Sequence, residues 1–166
     1  MTTSTPFEQG PYLSAALLCE KVLIEQDGVK SAIRIIDRVT RTAVGPSPPE
    51  EMAPFEHEIA LFVRLKSGWA RGSYPLRIRF VKPDSESLLP PFQSTIPLEG
   101  EEDRGADVVV NMKLRLDMPG IYWFHVELGD IRLTQVPLRV IYIRQVTQTH
   151  GGGGGSPPAL EPPTGP

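Results

Sequence analysis

The sequence predicts an all-β domain, an antiparallel β-sandwich of about eight strands. Apolar and polar residues alternate in several short segments, which is the pattern of strands with one buried face. The chain also carries 18 prolines and 15 glycines, spread so that they divide it into short segments and leave little evidence for helices. Turn signals recur roughly every ten residues, the spacing typical of a sandwich.

A hairpin opens the predicted domain. Asp27-Gly28 is a strong signal for a two-residue type I′ turn, and it joins a strand at about 15–26 to one at about 29–40. In this register Lys21 lies opposite Arg34, which is an unfavourable pair unless a carboxylate lies nearby.

The rest of the chain predicts six further strands separated by turn-rich loops. A proline-rich loop at 43–55 comes first, and loops of this length are often functional or mobile. Gly129-Asp130 is a type II′ signal that joins the last two strands. Pro97 restricts one short strand to a sheet edge, and Pro137 predicts an edge or a bulge in the last strand. The six strands lie at about 56–66, 74–81, 92–98, 107–116, 121–128 and 131–144.

The segment Asp117-Met-Pro-Gly-Ile-Tyr122 stands at the entrance to one of these strands. Its D-x-x-G-x-Y spacing resembles the tyrosine corner of immunoglobulin-like sandwiches, in which the tyrosine hydroxyl bonds to the backbone just upstream. In antibody domains a disulfide cysteine stands two residues later. Here that place is Phe124, so apolar packing is expected in place of the covalent link. The motif predicts a fold that is immunoglobulin-like or a close relative, and it carries no chemistry.

A single domain is expected at residues 13–146, between a flexible N-terminal segment at 1–12 and a disordered tail at 147–166. The tail contains a run of glycines followed by a proline-rich stretch. A domain of this size buries a normal core without metals or disulfides. The single cysteine, Cys19, lies in an apolar run and is expected to be a small buried hydrophobe.

Charge and targeting patterns narrow the range of partners. The formal net charge is -3 and the pI is about 5.6, so there is no basic surplus to meet a phosphate backbone, and no nucleic acid is expected. The first residues lack the basic and apolar regions of a signal peptide. The most apolar segment is too short and too charged to span a bilayer. We therefore expect a cytoplasmic protein that does not contact a membrane.

Motifs for catalysis and cofactor binding are absent from the sequence. There is no G-x-S-x-G nucleophile elbow, no Cys/His set and no phosphate-binding glycine loop. His125 and Glu127 share one face of a predicted strand, and a third ligand from a neighbouring strand could complete a metal site. An exposed polar face is the simpler interpretation of that pair. We expect a protein that is not an enzyme and binds no cofactor, with a metal-dependent enzyme as the weaker alternative.

Aromatic side chains indicate a candidate binding surface. If Tyr122 and Phe124 face inward, then Trp123 and His125 point outward from the same strand. Exposed tryptophans are enriched at interfaces, and Trp69 lies in a glycine-flanked loop. The alternative for Trp123 is cover by the proline-rich loop or by the N-terminal segment.

Basic side chains indicate a second candidate surface. Arg34 and Arg38 lie on one face of the second predicted strand. Together with Arg77 and Arg79 they could form a face for an anionic partner. The alternative is that these arginines pair with acids such as Glu56 on neighbouring strands.

Two blocks of the sequence are similar to a known family. The first block resembles the opening of a family of small bacterial proteins, a domain of unknown function. It consists of Ala16-Leu-Leu-Cys19-Glu-Lys-Val-Leu-Ile and the residues up to 38. The second block, from Pro119-Gly-Ile-Tyr122-Trp-Phe124 to residue 140, resembles the closing part of the same family. The resemblance covers most of 14–142. It implies a bacterial origin and a compact all-β domain, and it implies no catalytic residue.

These observations favour a non-enzymatic protein-binding or assembly module that meets another protein or itself. The expected partner surface is the face with Trp123 and His125, or a free edge strand, and Trp69, Arg34 and Arg38 are further candidates. The alternative is a small-ligand or carbohydrate-binding sandwich that uses Trp69 and the long loops.

Overall fold

The computed structural model describes residues 9–148, and this part of the chain forms nine β-strands in two sheets. The predicted all-β sandwich is confirmed, with nine strands where about eight were expected. Residues 9–148 contain no helix, so none of them forms a helix able to cross a bilayer. The strands are β1 Tyr12–Ile24, β2 Lys30–Ile35, β3 Arg38–Gly45, β4 Phe55–Lys66, β5 Arg71–Val81, β6 Ser87–Glu99, β7 Gly105–Leu116, β8 Gly120–Leu128 and β9 Ile131–Val146.

One sheet has four strands in the order β2-β1-β4-β7, and the other has five in the order β3-β9-β8-β5-β6. All neighbouring strands are antiparallel except β3 and β9, which run parallel. The core lies between the sheets because inward residues alternate with outward ones along β4, β5, β7 and β8. Its largest fully buried side chains are Tyr122, Phe124, Leu18, Leu61, Leu65, Leu76, Ile78, Leu114, Leu116 and Leu138.

The hairpin between β1 and β2 forms as predicted, but its predicted register is wrong by one residue. The Gly28 amide donates to the Glu25 carbonyl at 2.9 Å, and the Glu25 amide donates to the Val29 carbonyl at 2.8 Å. The loop therefore holds three residues rather than two, with Gly28 in the left-handed region at φ 82°. As a result Lys21 lies opposite Ile33, and the expected clash with Arg34 does not arise.

The single strand predicted at about 29–40 is also wrong, because the chain changes sheets within it. β2 ends at Ile35 in the four-stranded sheet, and β3 begins at Arg38 beside β9 in the five-stranded sheet. At the crossing, the Ile36 amide donates to the Leu18 carbonyl at 2.9 Å. Period-two alternation looks the same in either sheet, so the sequence pattern does not reveal the crossing.

The β1–β2 ribbon folds back over the outer face of the four-stranded sheet. Cys19 and Ala60 are opposite one another on that outer face, yet both are completely buried. The Lys30 Nζ lies 2.9 Å from the Asp107 carboxylate, and Asp107 is opposite Arg64 in the β4–β7 ladder. Had β1 run straight, Lys30 would lie on the order of 30 Å from that site. The ribbon therefore covers this face, which explains why Cys19 is buried as predicted.

Pro97 lies on β6, which is a sheet edge as predicted, although β6 is longer than expected. The proline-rich loop is shorter than predicted because β3 extends to Gly45. This loop packs against the end of β9, where the Tyr142 hydroxyl donates to the Pro49 carbonyl at 2.8 Å. Of the two predicted flexible ends, residues 1–8 and 149–166 lie outside the described part of the chain.

Candidate binding surface

The turn before β8 determines which side chains of that strand face outward. The Tyr122 hydroxyl donates to the Met118 carbonyl at 3.0 Å and accepts from the Met118 amide at 3.3 Å. The predicted bond from the tyrosine to the backbone just upstream is therefore present. Burial raises the pKa of the Tyr122 phenol, which keeps the hydroxyl protonated as a donor.

An ion pair holds the same turn in place. The Lys82 ammonium lies 2.9 Å from Asp117, and hydrogen bonding to this lysine lowers the pKa of the Asp117 carboxyl. Two residues after the tyrosine, Phe124 is fully buried and meets the Phe80 ring edge-to-face at 5.7 Å between centroids. Apolar packing thus occupies the place where antibody domains carry a disulfide.

With Tyr122 and Phe124 buried, Trp123 and His125 lie on the outer face of the five-stranded sheet, as predicted. Trp123 is partly exposed. Its neighbours across the ladders are Val81 on β5 and Pro137 on β9. The hydrogen bonds that the proline-rich loop accepts from β9 lie at the far end of that strand, away from this tryptophan.

Arginines surround these two side chains. In the ladders Arg79 is opposite His125, Arg77 and Arg132 are opposite Glu127, and Arg139 is opposite both Ile121 and Arg38. All of these residues point away from the core, since the alternate positions on each strand are buried or packed against it. We call this surface the arginine face, and it consists of Arg38, Arg77, Arg79, Arg132 and Arg139 around Trp123, His125 and Glu127.

Most of the positive charge on the arginine face is not neutralised. Glu127 pairs with Arg79 at 2.5 Å, and hydrogen bonding to this arginine lowers the pKa of the Glu127 carboxyl. Arg38 has only an exposed contact with Asp37, at 3.2 Å. The other three arginines of this face form no ion pair with the described residues. They are Arg77, Arg132 and Arg139.

His125 lies uncharged among these cations. Burial, together with the nearby Arg132 and Arg79, lowers the pKa of its imidazole. Its Nδ1 atom is buried and has no hydrogen-bond partner among residues 9–148.

Arg34 lies apart from the arginine face, so the predicted strip of Arg34 with Arg38, Arg77 and Arg79 is divided. Arg34 belongs to β2 of the other sheet, where it pairs with Glu20 at 3.2 Å. Arg34 and Arg38 do come together along a groove of about 510 Å³ that also includes His57. The crossing between sheets places the two arginines on either side of this groove.

Trp69 occupies a third location. It lies in the connection from β4 to β5 and is 64% exposed. Its amide donates to the Gln9 carbonyl at 2.7 Å. The neighbouring Gly68, at φ 54°, lies so close to Tyr12 that a Cβ would stand 2.7 Å from the ring. Trp69 is therefore next to a second, partly exposed aromatic residue.

The arrangement at His125 and Glu127 does not favour a metal site. Both side chains lie on one face, but Glu127 is engaged by Arg79. Residues 9–148 contain no group of three or more His, Cys, Asp or Glu side chains placed to hold a metal ion. Arg132 and Arg139 were not predicted as members of this surface. The Gly129-Asp130 turn does place Arg132 opposite Glu127, but the position of Arg139 beside Arg38 follows from a pairing of distant strands that the sequence pattern does not specify.

Comparison with known proteins identifies a family but no activity. No curated protein matches the sequence. A protein-family model described as a family of unknown function matches residues 14–141, which include most of every strand from β1 to β9. The chain therefore belongs to this family of unknown function (DUF6941).

Proposed function

We propose that the protein is a non-enzymatic binding or assembly module and that it meets another protein, or a second copy of itself, through the arginine face. The observation that carries the proposal is Trp123, partly exposed at the centre of this face among arginines that have no ion pair in the described residues. Tryptophan and arginine are the residue types most enriched among binding hot spots.

An immunoglobulin-like architecture is part of this proposal. It is supported by the hydroxyl of Tyr122, which bonds to the turn before β8, and by the placement of β4 and β5 in opposite sheets. Such sandwiches support many unrelated functions, so binding is inferred from the surface and not from the fold. A bacterial cytoplasmic setting is also proposed, and the single cysteine is compatible with it.

The test uses the full chain as bait in an affinity capture, beside Trp123→Thr and Trp69→Thr. Threonine suits a strand, so the first variant should retain the melting temperature within a few degrees. We expect a partner, or self-association in analytical ultracentrifugation, that is lost with Trp123→Thr and kept with Trp69→Thr. Association that is indifferent to Trp123 would refute the proposal. A strongly destabilised Trp123→Thr would place this tryptophan in the fold rather than on the surface.

A small-ligand or carbohydrate site at Trp69 is the second candidate. Trp69 is highly exposed, and it lies beside Tyr12, which is itself 44% exposed. Exposed aromatic rings suit stacking against flat apolar faces of a ligand. A panel of oligosaccharides in a thermal-shift assay tests it. A rise in melting temperature that disappears in Trp69→Thr would support this function, and a flat response across the panel would count against it.

A further inference from the structure

We infer that the arginine face recognises an extended protein segment rich in Asp and Glu. This inference rests on the proposed function, because it names the chemistry of the partner that would occupy the same surface. A guanidinium group presents a planar set of donors that matches a carboxylate, and such pairs are short and strong.

Charge is distributed unevenly over the molecule. The whole chain has a formal net charge of -3, but the arginine face carries five arginines and a single glutamate. On the four-stranded sheet Lys30 and Arg64 both contact Asp107, and Lys113 lies 2.6 Å from Glu56, whereas Lys21 and Arg115 form no ion pair with the described residues. Among the described basic residues without an ion pair, six lie on the five-stranded sheet and three on the four-stranded sheet, so most of the unpaired positive charge lies on the uncovered sheet.

The spacing of the arginines fits an extended peptide. Arg77 and Arg132 flank Glu127 on neighbouring strands, about 10 Å apart. Arg139 is level with Ile121, six positions along β8 and thus roughly 20 Å away. Trp123 lies between these two basic ends. An extended segment of about six residues, with acidic side chains at both ends and an apolar one in the middle, would reach both.

A protein segment fits this surface better than a nucleic acid. Glu127 stands within the arginine face and would repel a continuous line of phosphates. Among the residues that define the face, Trp123 is the one large aromatic ring available for stacking, whereas single-stranded nucleic acid is usually held by several.

The test is a binding titration with defined probes and the full chain. The probe is a fluorescein-labelled octapeptide with glutamates at both ends and Leu-Phe in the centre. Its glutamine counterpart and a single-stranded oligonucleotide of similar length serve as comparisons. We expect the acidic peptide to bind and the glutamine peptide to bind at least tenfold more weakly. Binding is measured by fluorescence anisotropy at about 50 mM salt and again at about 300 mM. Screening at the higher salt concentration should weaken binding of the acidic peptide.

Matched variants locate the binding. The double variant Arg132→Gln with Arg139→Gln should weaken binding of the acidic peptide by about tenfold or more. Lys21→Gln with Arg115→Gln removes the same charge from exposed positions of the other sheet, and it should leave binding within about twofold. Both double variants should melt as the wild type does.

Three results would overturn the inference: no binding of the acidic peptide, equal loss in both double variants, or tighter binding of the oligonucleotide. Failure of the proposed function gives a different result, because it would appear as association that does not respond to Trp123→Thr. Association lost with Trp123→Thr, without any preference for the acidic peptide, would retain the binding module and refute its acidic partner.

Discussion

Substitution of Asp107 by asparagine tests how the β1–β2 ribbon is held on the sheet. One carboxylate oxygen accepts from Arg64 Nε at 2.7 Å, and the other accepts from Arg64 Nη2 and from Lys30 Nζ, both at 2.9 Å. Arg64 belongs to β4 and Lys30 to β2, so this single side chain joins the ribbon to the surface that it covers. Asparagine has the same shape but no charge, and Asp107→Asn therefore isolates the electrostatic part of the contact.

The size of the expected loss of stability follows from the lowered pKa of the Asp107 carboxyl. Hydrogen bonds from Arg64 and Lys30 lower the pKa of Asp107 from 3.8 to about 2. That difference corresponds to about 2.4 kcal/mol of stability for a group that is ionised in the folded state. The Asp107 side chain is only 15% exposed, but that of Arg64 is 40% exposed, so solvent screening reduces the contribution. We expect Asp107→Asn to lower the free energy of unfolding by about 1–2 kcal/mol at pH 7.

The pH dependence has a defined sign. Because the folded pKa of Asp107 lies below the unfolded one, the stabilisation is complete above about pH 4 and disappears as the pH falls through 2. The difference between wild type and variant should therefore be constant from pH 7 down to about pH 5 and should shrink toward zero near pH 2.

Urea unfolding followed by tryptophan fluorescence measures this difference at each pH. Glu56→Gln is the matched control, because it removes an exposed ion pair with Lys113 and should leave the free energy of unfolding almost unchanged. Hydrogen exchange should show faster exchange in β2 for Asp107→Asn alone. A change below about 0.5 kcal/mol at pH 7, or a difference that persists at pH 2, would refute the role assigned to this carboxylate.

Three further predictions concern the stability and packing of the sandwich. Tyr122→Phe should lower the free energy of unfolding by about 1–3 kcal/mol, because it leaves buried backbone groups unpaired. Tyr74→Phe should lower it by less, because the Tyr74 hydroxyl has only a 3.5 Å contact. Chemical denaturation compares the two variants. Gly105→Ala should destabilise the folded protein by about 2 kcal/mol or more, since a Cβ would stand 1.8 Å from a carbonyl oxygen of the facing strand. The Cβ added by Gly45→Ala would meet nothing within 4 Å. Equal melting temperatures of these two variants would contradict the prediction. The Cys19 thiol is buried, and burial raises its pKa, so a thiol reagent should modify it slowly in the folded protein and rapidly in urea.

The strands with two distinct faces were predictable from the sequence. β4, β7 and β8 each pack one set of alternate residues into the core, so their period-two pattern reports both their existence and their orientation. The same pattern placed Trp123 and His125 outward correctly. The burial of Ala60 and Phe62 on the other face of β4 was not predictable, because it depends on a ribbon that arrives from elsewhere in the chain.

The errors arose where one local pattern fits two structures. Asp27-Gly28 suits a two-residue turn, but it also suits a three-residue loop with Gly28 in the left-handed region, and the two differ by one residue in register. The residues around Ile36 alternate in the same way whether the chain stays in one sheet or crosses to the other. Arg34 and Arg38 were therefore placed on one strand, whereas in the structure they belong to strands of different sheets.

Part of the arginine face was hidden in the sequence for a related reason. Arg38 meets Arg139 through the parallel pair of β3 and β9, which are about a hundred positions apart in the chain. A register between distant strands is set by the whole sandwich and not by nearby residues. Arg139 accordingly looks like an ordinary solvated charge until the strands are placed side by side, whereas the Gly129-Asp130 turn already places Arg132 opposite Glu127.

The two outer faces of the sandwich differ in a way that packing alone does not require. The four-stranded sheet carries apolar residues on its outer face, and the chain covers them with its own ribbon, held by Lys30 and Asp107. The five-stranded sheet carries Trp123 and three arginines without ion pairs in the described residues, and it has no comparable ribbon there. The unpaired like charges repel one another and do not stabilise the isolated domain, and the exposed part of the Trp123 indole remains in contact with water. A partner that supplies carboxylates and an apolar side chain would turn both into favourable contacts, and for this reason we propose that binding takes place on the sheet that the ribbon leaves open.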